Sequence, residues 1–239
     1  MDNALQKDRE SVSSMFNNIA SKYDFLNHLL SLGIDKIWRR KLLNFVKVHN
    51  PEKVLDLACG TGDMTIALYK SGFEVVGADI AEKMLDVARF KSSRISSGNT
   101  PPPVFILASA DSIPMSDNSF DSVTITFGIR NFEDRKSSLK EIIRVLRKGG
   151  YLSILEFATP RNCVWRGLFN LYFLKILPLI GRFISKDMKA YTYLPESVKS
   201  FPQYGDLCKE ITDEGFTDVH YKSLTGGVAV LYTARKGVK

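Results

Sequence analysis

The sequence predicts an α/β fold: a Rossmann-like, seven-stranded, mostly parallel sheet with helices on both faces. To it are added an N-terminal helical segment and an insertion between strands 5 and 6. Three observations predict this. From Glu52 to Lys236 short β-branched runs alternate with amphipathic stretches, the pattern of strands joined by crossover helices. The first five runs are apolar almost throughout, as strands covered on both faces must be. The first run ends in a glycine turn, Gly60-Thr61-Gly62, that opens a helix.

The expected strands are Lys53 to Ala58, Glu74 to Asp79, Val104 to Ser109, Phe120 to Phe127, Tyr151 to Phe157, Thr217 to Lys222 and Ala229 to Ala234. Apolar residues at three- and four-residue spacing predict crossover helices over Met64 to Lys70, Glu82 to Phe90 and Arg135 to Leu146, the last stopped by Gly149-Gly150. Ser92 to Pro103, with three consecutive prolines, reads as a surface loop. Two segments stand outside the alternation and are the expected substrate cap: the helical stretch Ser11 to Val48 and the insertion Pro160 to Pro202. The insertion holds an apolar, aromatic run from Trp165 to Pro178, too often broken by Arg166 and Lys175 to span a membrane. Such a helix can pack on the core, cover a greasy substrate or rest on a membrane surface.

With 239 residues, 44% of them hydrophobic and 25% charged, the chain is expected to be one domain with an ordinary core. Within it, 1–50 would be the N-terminal cap, 51–159 the cofactor-binding core, 160–202 the cap insertion and 203–239 a C-terminal helix and strands. Cys59, Cys163 and Cys208 show neither disulfide-framework nor zinc spacing, and the first ten residues lack the features of a signal peptide, so a cytoplasmic protein is expected. The net charge of +7 comes from scattered lysines and arginines rather than blocks, and no nucleic-acid module is visible. His49 and His220 show no metal-ligand spacing, and no metal is expected.

The chemistry concentrates at the strand ends. Gly60 and Gly62 allow a tight turn and close approach of backbone to a ligand, and the following helix offers free N–H groups. Asp56 is placed to receive an ammonium group. Asp79, nineteen residues after Gly60 and followed by Ile80, is placed to accept two ribose hydroxyls. A dinucleotide site would need a third glycine where Thr65 stands. Ser109-Ala110-Asp111 can read an adenine edge, and the fourth strand ends in Thr126-Phe127-Gly128-Ile129-Arg130-Asn131. Together these ends suit a nucleoside that carries an amino acid.

Beyond these ends, the segments Phe16 to Asn27, Leu30 to Ile34, Phe127 to Phe132, Leu155-Glu156-Phe157, Tyr193 to Ser197 and Leu224 to Val228 complete a wider pattern. By them the chain resembles the Class I S-adenosylmethionine (SAM)-dependent methyltransferases, and among these the ubiquinone/menaquinone biosynthesis C-methyltransferases. The resemblance implies SAM as cofactor, with Thr61, Asp79, Ser109, Ala110 and Thr126 at SAM-contacting positions. It implies a prenylated quinol as substrate. Asp35 and Lys36 stand where ubiquinone-type members commonly carry His-Arg, which points to demethylmenaquinol. Arg130 is then the expected cation beside the ring, acting electrostatically because arginine keeps its proton, with Asn131 orienting the ring oxygen. Tyr23, Asp24 and His28 lie on the closing segment, Asp24 and His28 as candidate proton acceptors. A homodimer is implied by resemblance alone. C-methylation of a ubiquinone-precursor benzoquinol, methylation of RNA or an amine, and a non-catalytic SAM sensor or scaffold are the competing readings; an RNA enzyme would show steep salt dependence of RNA binding.

Overall fold

The computed structural model describes residues 8–24, 31, 33–96, 98, 100–172 and 189–238. Seven strands form one sheet: β1 (Lys53–Leu57), β2 (Glu74–Asp79), β3 (Val104–Leu107), β4 (Phe120–Thr126), β5 (Leu146–Phe157), β6 (Phe216–Leu224) and β7 (Ala229–Lys236). Their order across the sheet is β3-β2-β1-β4-β5-β7-β6. The first five pair in parallel; β7 runs antiparallel to both its neighbours.

Helices cover both faces, because each carries an apolar stripe that water would otherwise meet. In α2 (Ile34–His49) Trp38, Leu42 and Val46 are buried at four-residue spacing, and with α3 (Asp63–Tyr69) they pack on Val54, Val75 and Leu155. On the other face α5 (Arg135–Val145) and α8 (Gly205–Asp213) send Leu139, Ile142, Leu207 and Ile211 against Leu55, Val123 and Ile154. At the N-terminus α1 (Arg9–Ile19) is capped by Asp8, whose carboxylate accepts the Ser11 N–H at 2.9 Å. It contacts α4 (Glu82–Ser92) through a small cluster around Ala20, Ala81 and Met84. The insertion contributes α6 (Cys163–Leu171) and α7 (Lys189–Ser200).

Most boundaries shift from the sequence expectation by one or two residues, and at two places the reason is local. The helix expected to reach Leu146 stops at Val145, and β5 begins at Leu146, so Gly149 and Gly150 lie inside a strand. The β4–β5 register shifts between Phe120 and Ser122, and there the backbones crowd: a Cβ on Gly150 would lie 2.9 Å from the carbonyls of Arg147 and Asp121. The third strand ends at Leu107 rather than Ser109, because Ser109 turns to bridge Ser112.

Since β1 has β2 on one side and β4 on the other, the crossovers part here and leave a crevice beyond their carboxyl ends.

Candidate active site

A cleft of about 750 Å³, counting the solvent space at its mouth, occupies that crevice. Leu57, Ala58, Gly60, Asp79, Ile80, Ser109, Ala110, Asp111 and Thr126 to Gly128 line it from the strand ends. Asn131 to Asp134 line one side, and Arg9, Val12, Phe16 and Tyr23 reach over from the N-terminal segment.

The turn after β1 needs left-handed backbone at Ala58 (φ 56°), Gly60 (55°) and Gly62 (80°). Space is as tight as torsion there: a Cβ on Gly62 would sit 2.9 Å from the Ala88 methyl, and one on Gly128 2.5 Å from the Ala58 methyl. Phe127 also adopts positive φ (59°), held by its N–H to Leu155 O at 2.7 Å and by Arg130 on its carbonyl at 2.5 Å.

Asp79 accepts the Gly60 N–H at 2.8 Å on one oxygen and the Ala81 N–H at 2.9 Å on the other. A carboxylate has about four acceptor sites, so these bonds leave Asp79 able to accept from the cleft. Burial raises the Asp79 pKa, opposed by the N–H groups of Ala81, Gly60 and Ile80. The Ile80 carbonyl accepts the Ser13 hydroxyl at 2.9 Å, which ties α1 to the end of β2. Ala110 is buried against the cleft, and the Ser109 hydroxyl donates to Asp111 at 2.6 Å. Arg9 holds both oxygens of Asp111, at 2.8 and 2.7 Å. The buried hydroxyl of Thr126 has no hydrogen-bond partner among the described residues. An orphaned hydroxyl at a strand end, an acid with spare acceptor capacity and a turn that only small residues can occupy fit a nucleoside with a polar chain. They are the residues that would hold SAM.

Other expected residues sit elsewhere. Asp56 is fully buried, its oxygens taken by the hydroxyls of Thr65 (2.6 Å) and Thr124 (2.8 Å), so its carboxylate faces the interior rather than an ammonium group. Thr61 and Gly62 shape the turn without lining the cleft. The Thr61 hydroxyl bonds Asp24, whose other oxygen meets Lys91 at 2.7 Å, while Lys91 also reaches Asp63 at 2.5 Å. Asp24 is thereby an anchor of the N-terminal segment rather than a free proton acceptor. The Tyr23 ring lies over Gly60, with Phe16 edge-on to it at 5.9 Å. His28 lies outside the described residues.

Arg130 departs most from expectation. It is buried and paired with the fully buried Glu156 at 2.7 Å; its Nε reaches Ser197 of α7 at 3.3 Å. With its charge matched by Glu156 and its Nη1 and Nε on protein groups, it is no isolated cation beside the cleft. Asn131 does line the cleft, and its Oδ1 accepts the Tyr193 hydroxyl at 2.9 Å, which leaves its amide N–H groups to donate. Glu156 and Tyr193 had been visible only as parts of motifs. Their roles come from pairing across 26 and 62 residues, which no local spacing reports.

The model of the ubiE/COQ5 methyltransferase family matches residues 3–236. A Bacteroides fragilis protein described as demethylmenaquinone methyltransferase is 43% identical over 233 residues, covering 96% of this chain and 94% of its own. A Geobacter sulfurreducens protein, described as ubiquinone/menaquinone biosynthesis C-methyltransferase UbiE, is 40% identical over 238 residues, covering 98% and 92%. Among solved structures, the [4+2]-cyclase SpnF superposes with a TM-score of 0.70 at 13% identity, covering 95% of this chain and 96% of its own. Haemonchus contortus phosphoethanolamine N-methyltransferase 2, solved with S-adenosyl-L-methionine, gives 0.61 at 14% identity, covering 83% and 52%. At such identities these two structures speak to the fold alone.

Proposed function

Because the chain belongs to the ubiE/COQ5 methyltransferase family, whose members use SAM, we propose that it methylates a ring carbon of a prenylated quinol, turning demethylmenaquinol into menaquinol. The observation that carries this is the 43% identity, nearly end to end, with a protein of that described activity.

SAM, when bound, supplies an electrophilic methyl group. Asp79 and the Gly60 turn would hold its ribose, and Ser109 to Asp111 its base. A quinol carbon is nucleophilic when an adjacent hydroxyl ionises, so the residues around the ring must favour its oxyanion. Asn131 does this by donating its amide N–H to the ring oxygen. Tyr193, hydrogen-bonded to Asn131 Oδ1, fixes which way that amide points. Arg130 is a positioning residue: it holds Phe127 O, Glu156 and Ser197 and so fixes the end of β4 against α7. Tyr23 and Phe16 close the cofactor side against water. Cytoplasmic placement and a homodimer are further proposals, supported by the sequence reading and the family relationship.

Methyl transfer from labelled SAM to reduced demethylmenaquinol, beside a demethylated ubiquinol precursor, tests this. Wild type should turn over the naphthoquinol, Asp79→Ala should lose SAM binding, and Asn131→Ala should lower kcat about a hundredfold with SAM affinity kept. SAM binding with silence on both quinols would overturn the proposal.

A further inference from the structure

Helix α6 presents three faces. Trp165, Phe169 and Tyr172 follow one another at four- and three-residue spacing and turn inward: Phe169 is buried against Val198, and Trp165 covers Gly226, where a Cβ would fall 2.3 Å from its ring. Arg166 and Asn170 form an exposed polar face. Val164, Leu168 and Leu171, spaced four and three apart, form a third stripe that stays open to solvent, 66%, 54% and 49% exposed. Water is a poor neighbour for such a stripe, and its usual meaning is a surface that something apolar covers.

The surroundings say what covers it. From Pro160 to Pro202 the chain carries seven lysines and arginines against Asp187 and Glu196 alone, so this insertion supplies a net +5 of the molecule's +7. Two of those cations border the stripe. Arg166 is on the adjacent face, and Arg161 precedes the helix, held over the Tyr204 ring at 4.2 Å and 3.5 Å from the Tyr221 hydroxyl. Tyr221 and Trp165, each 41% exposed, add aromatic rings of the kind that settle at a lipid–water boundary. An apolar stripe edged by arginines and aromatic rings matches the layered chemistry of an anionic bilayer surface: acyl chains inside, headgroup phosphates outside.

We infer that α6 docks this protein on an anionic lipid bilayer, with Val164, Leu168 and Leu171 entering the acyl boundary and Arg161 and Arg166 meeting phosphates. The choice of a bilayer rests in part on the proposed prenylated substrate, which resides in one. The same insertion carries α7, whose Tyr193 and Ser197 reach Asn131 and Arg130, so the docked face and the acceptor side of the cleft belong to one stretch of chain.

Co-sedimentation of the whole chain with quinol-free vesicles tests this, using phosphatidylcholine alone and mixed with phosphatidylglycerol. Wild type should sediment with the anionic vesicles. Replacing both cations, Arg161→Gln with Arg166→Gln, should weaken this about thirtyfold. Leu168→Glu with Leu171→Glu should weaken it about tenfold or more. SAM affinity, unchanged in both variants, shows that they fold. Wild type remaining in the supernatant with both vesicle types, or variants sedimenting as wild type does, overturns the inference. So does a concentration-dependent dimer that the leucine pair abolishes without vesicle binding, which would assign the stripe to a second copy. Since these vesicles hold no quinol, binding to them is independent of the substrate: vesicle binding together with silence in the methyl-transfer assay would sink the proposed substrate and leave the docking surface standing.

Discussion

Asp56 and Asp79 end neighbouring strands as acids in apolar runs, and in the sequence they look alike. What separates them is the company each keeps. Asp79 bonds only backbone N–H groups and faces the cleft; Asp56 is enclosed by the hydroxyls of Thr65 and Thr124. Thr124 lies 68 residues away, so its hydroxyl becomes a partner only once β1 and β4 pair. Enclosure pushes the Asp56 pKa up from 3.8 to about 6, because burial disfavours the charge more than the two hydroxyls favour it. A carboxyl with a raised folded pKa binds more protons folded than unfolded. Its contribution to stability is therefore fullest below the unfolded pKa of 3.8 and is lost as pH rises through about 6. The loss amounts to about 3 kcal/mol over that window. Asp56→Asn lacks the titration, so urea denaturation should show the variant gaining about 3 kcal/mol relative to wild type between those pH values. Parallel stability profiles would contradict this.

Amphipathic periodicity located α3, α4 and α5 because a buried stripe must recur every three or four residues whatever it packs on. It did not place α1 against the cofactor turn, which depends on single polar contacts. Ser13 bonds Ile80 O, Asn17 accepts the Lys83 N–H at 3.0 Å, and Lys91 of α4 joins Asp24 to Asp63. Lys91 thus holds two acids from different segments together. Lys91→Met removes the cation that joins those acids, so the N-terminal segment should lift from the turn. SAM release should then be about tenfold faster in stopped-flow, consistent with a coupling of about 1.4 kcal/mol, and proteolysis near Tyr23 should accelerate. Unaltered release and cleavage would assign Lys91 to surface solvation alone. The ends of β3 and β5 were likewise illegible, since a bulge and a turn-bridge depend on which strand lies alongside.

For the molecule as a whole, the Arg130–Glu156 pair joins β4 and β5 to the cap helix α7 through Ser197. Both charges are buried, Glu156 completely, so removing one strands the other. Arg130→Met should cost about 3–5 kcal/mol in urea denaturation, and adding Glu156→Gln should restore a large part of it. Equal destabilisation in the single and double variants would show that the pair is not coupled. The loss of activity expected for an isolated catalytic cation becomes, with this geometry, a loss of architecture.

The linear order of residues was enough for the α/β class, for seven strands, for the glycine turn followed nineteen residues later by Asp79, and for the family. All of these rest on local spacing, which covalent connectivity preserves. Tertiary structure decided the rest: that Asp56 is closed off, that Asp24 is tied to Thr61 and Lys91, that Arg130 is paired with Glu156 and that Tyr193 is hydrogen-bonded to Asn131. Each is a pairing between segments distant in sequence, and a charged or polar side chain acquires its chemistry from the partner and the dielectric that folding brings to it.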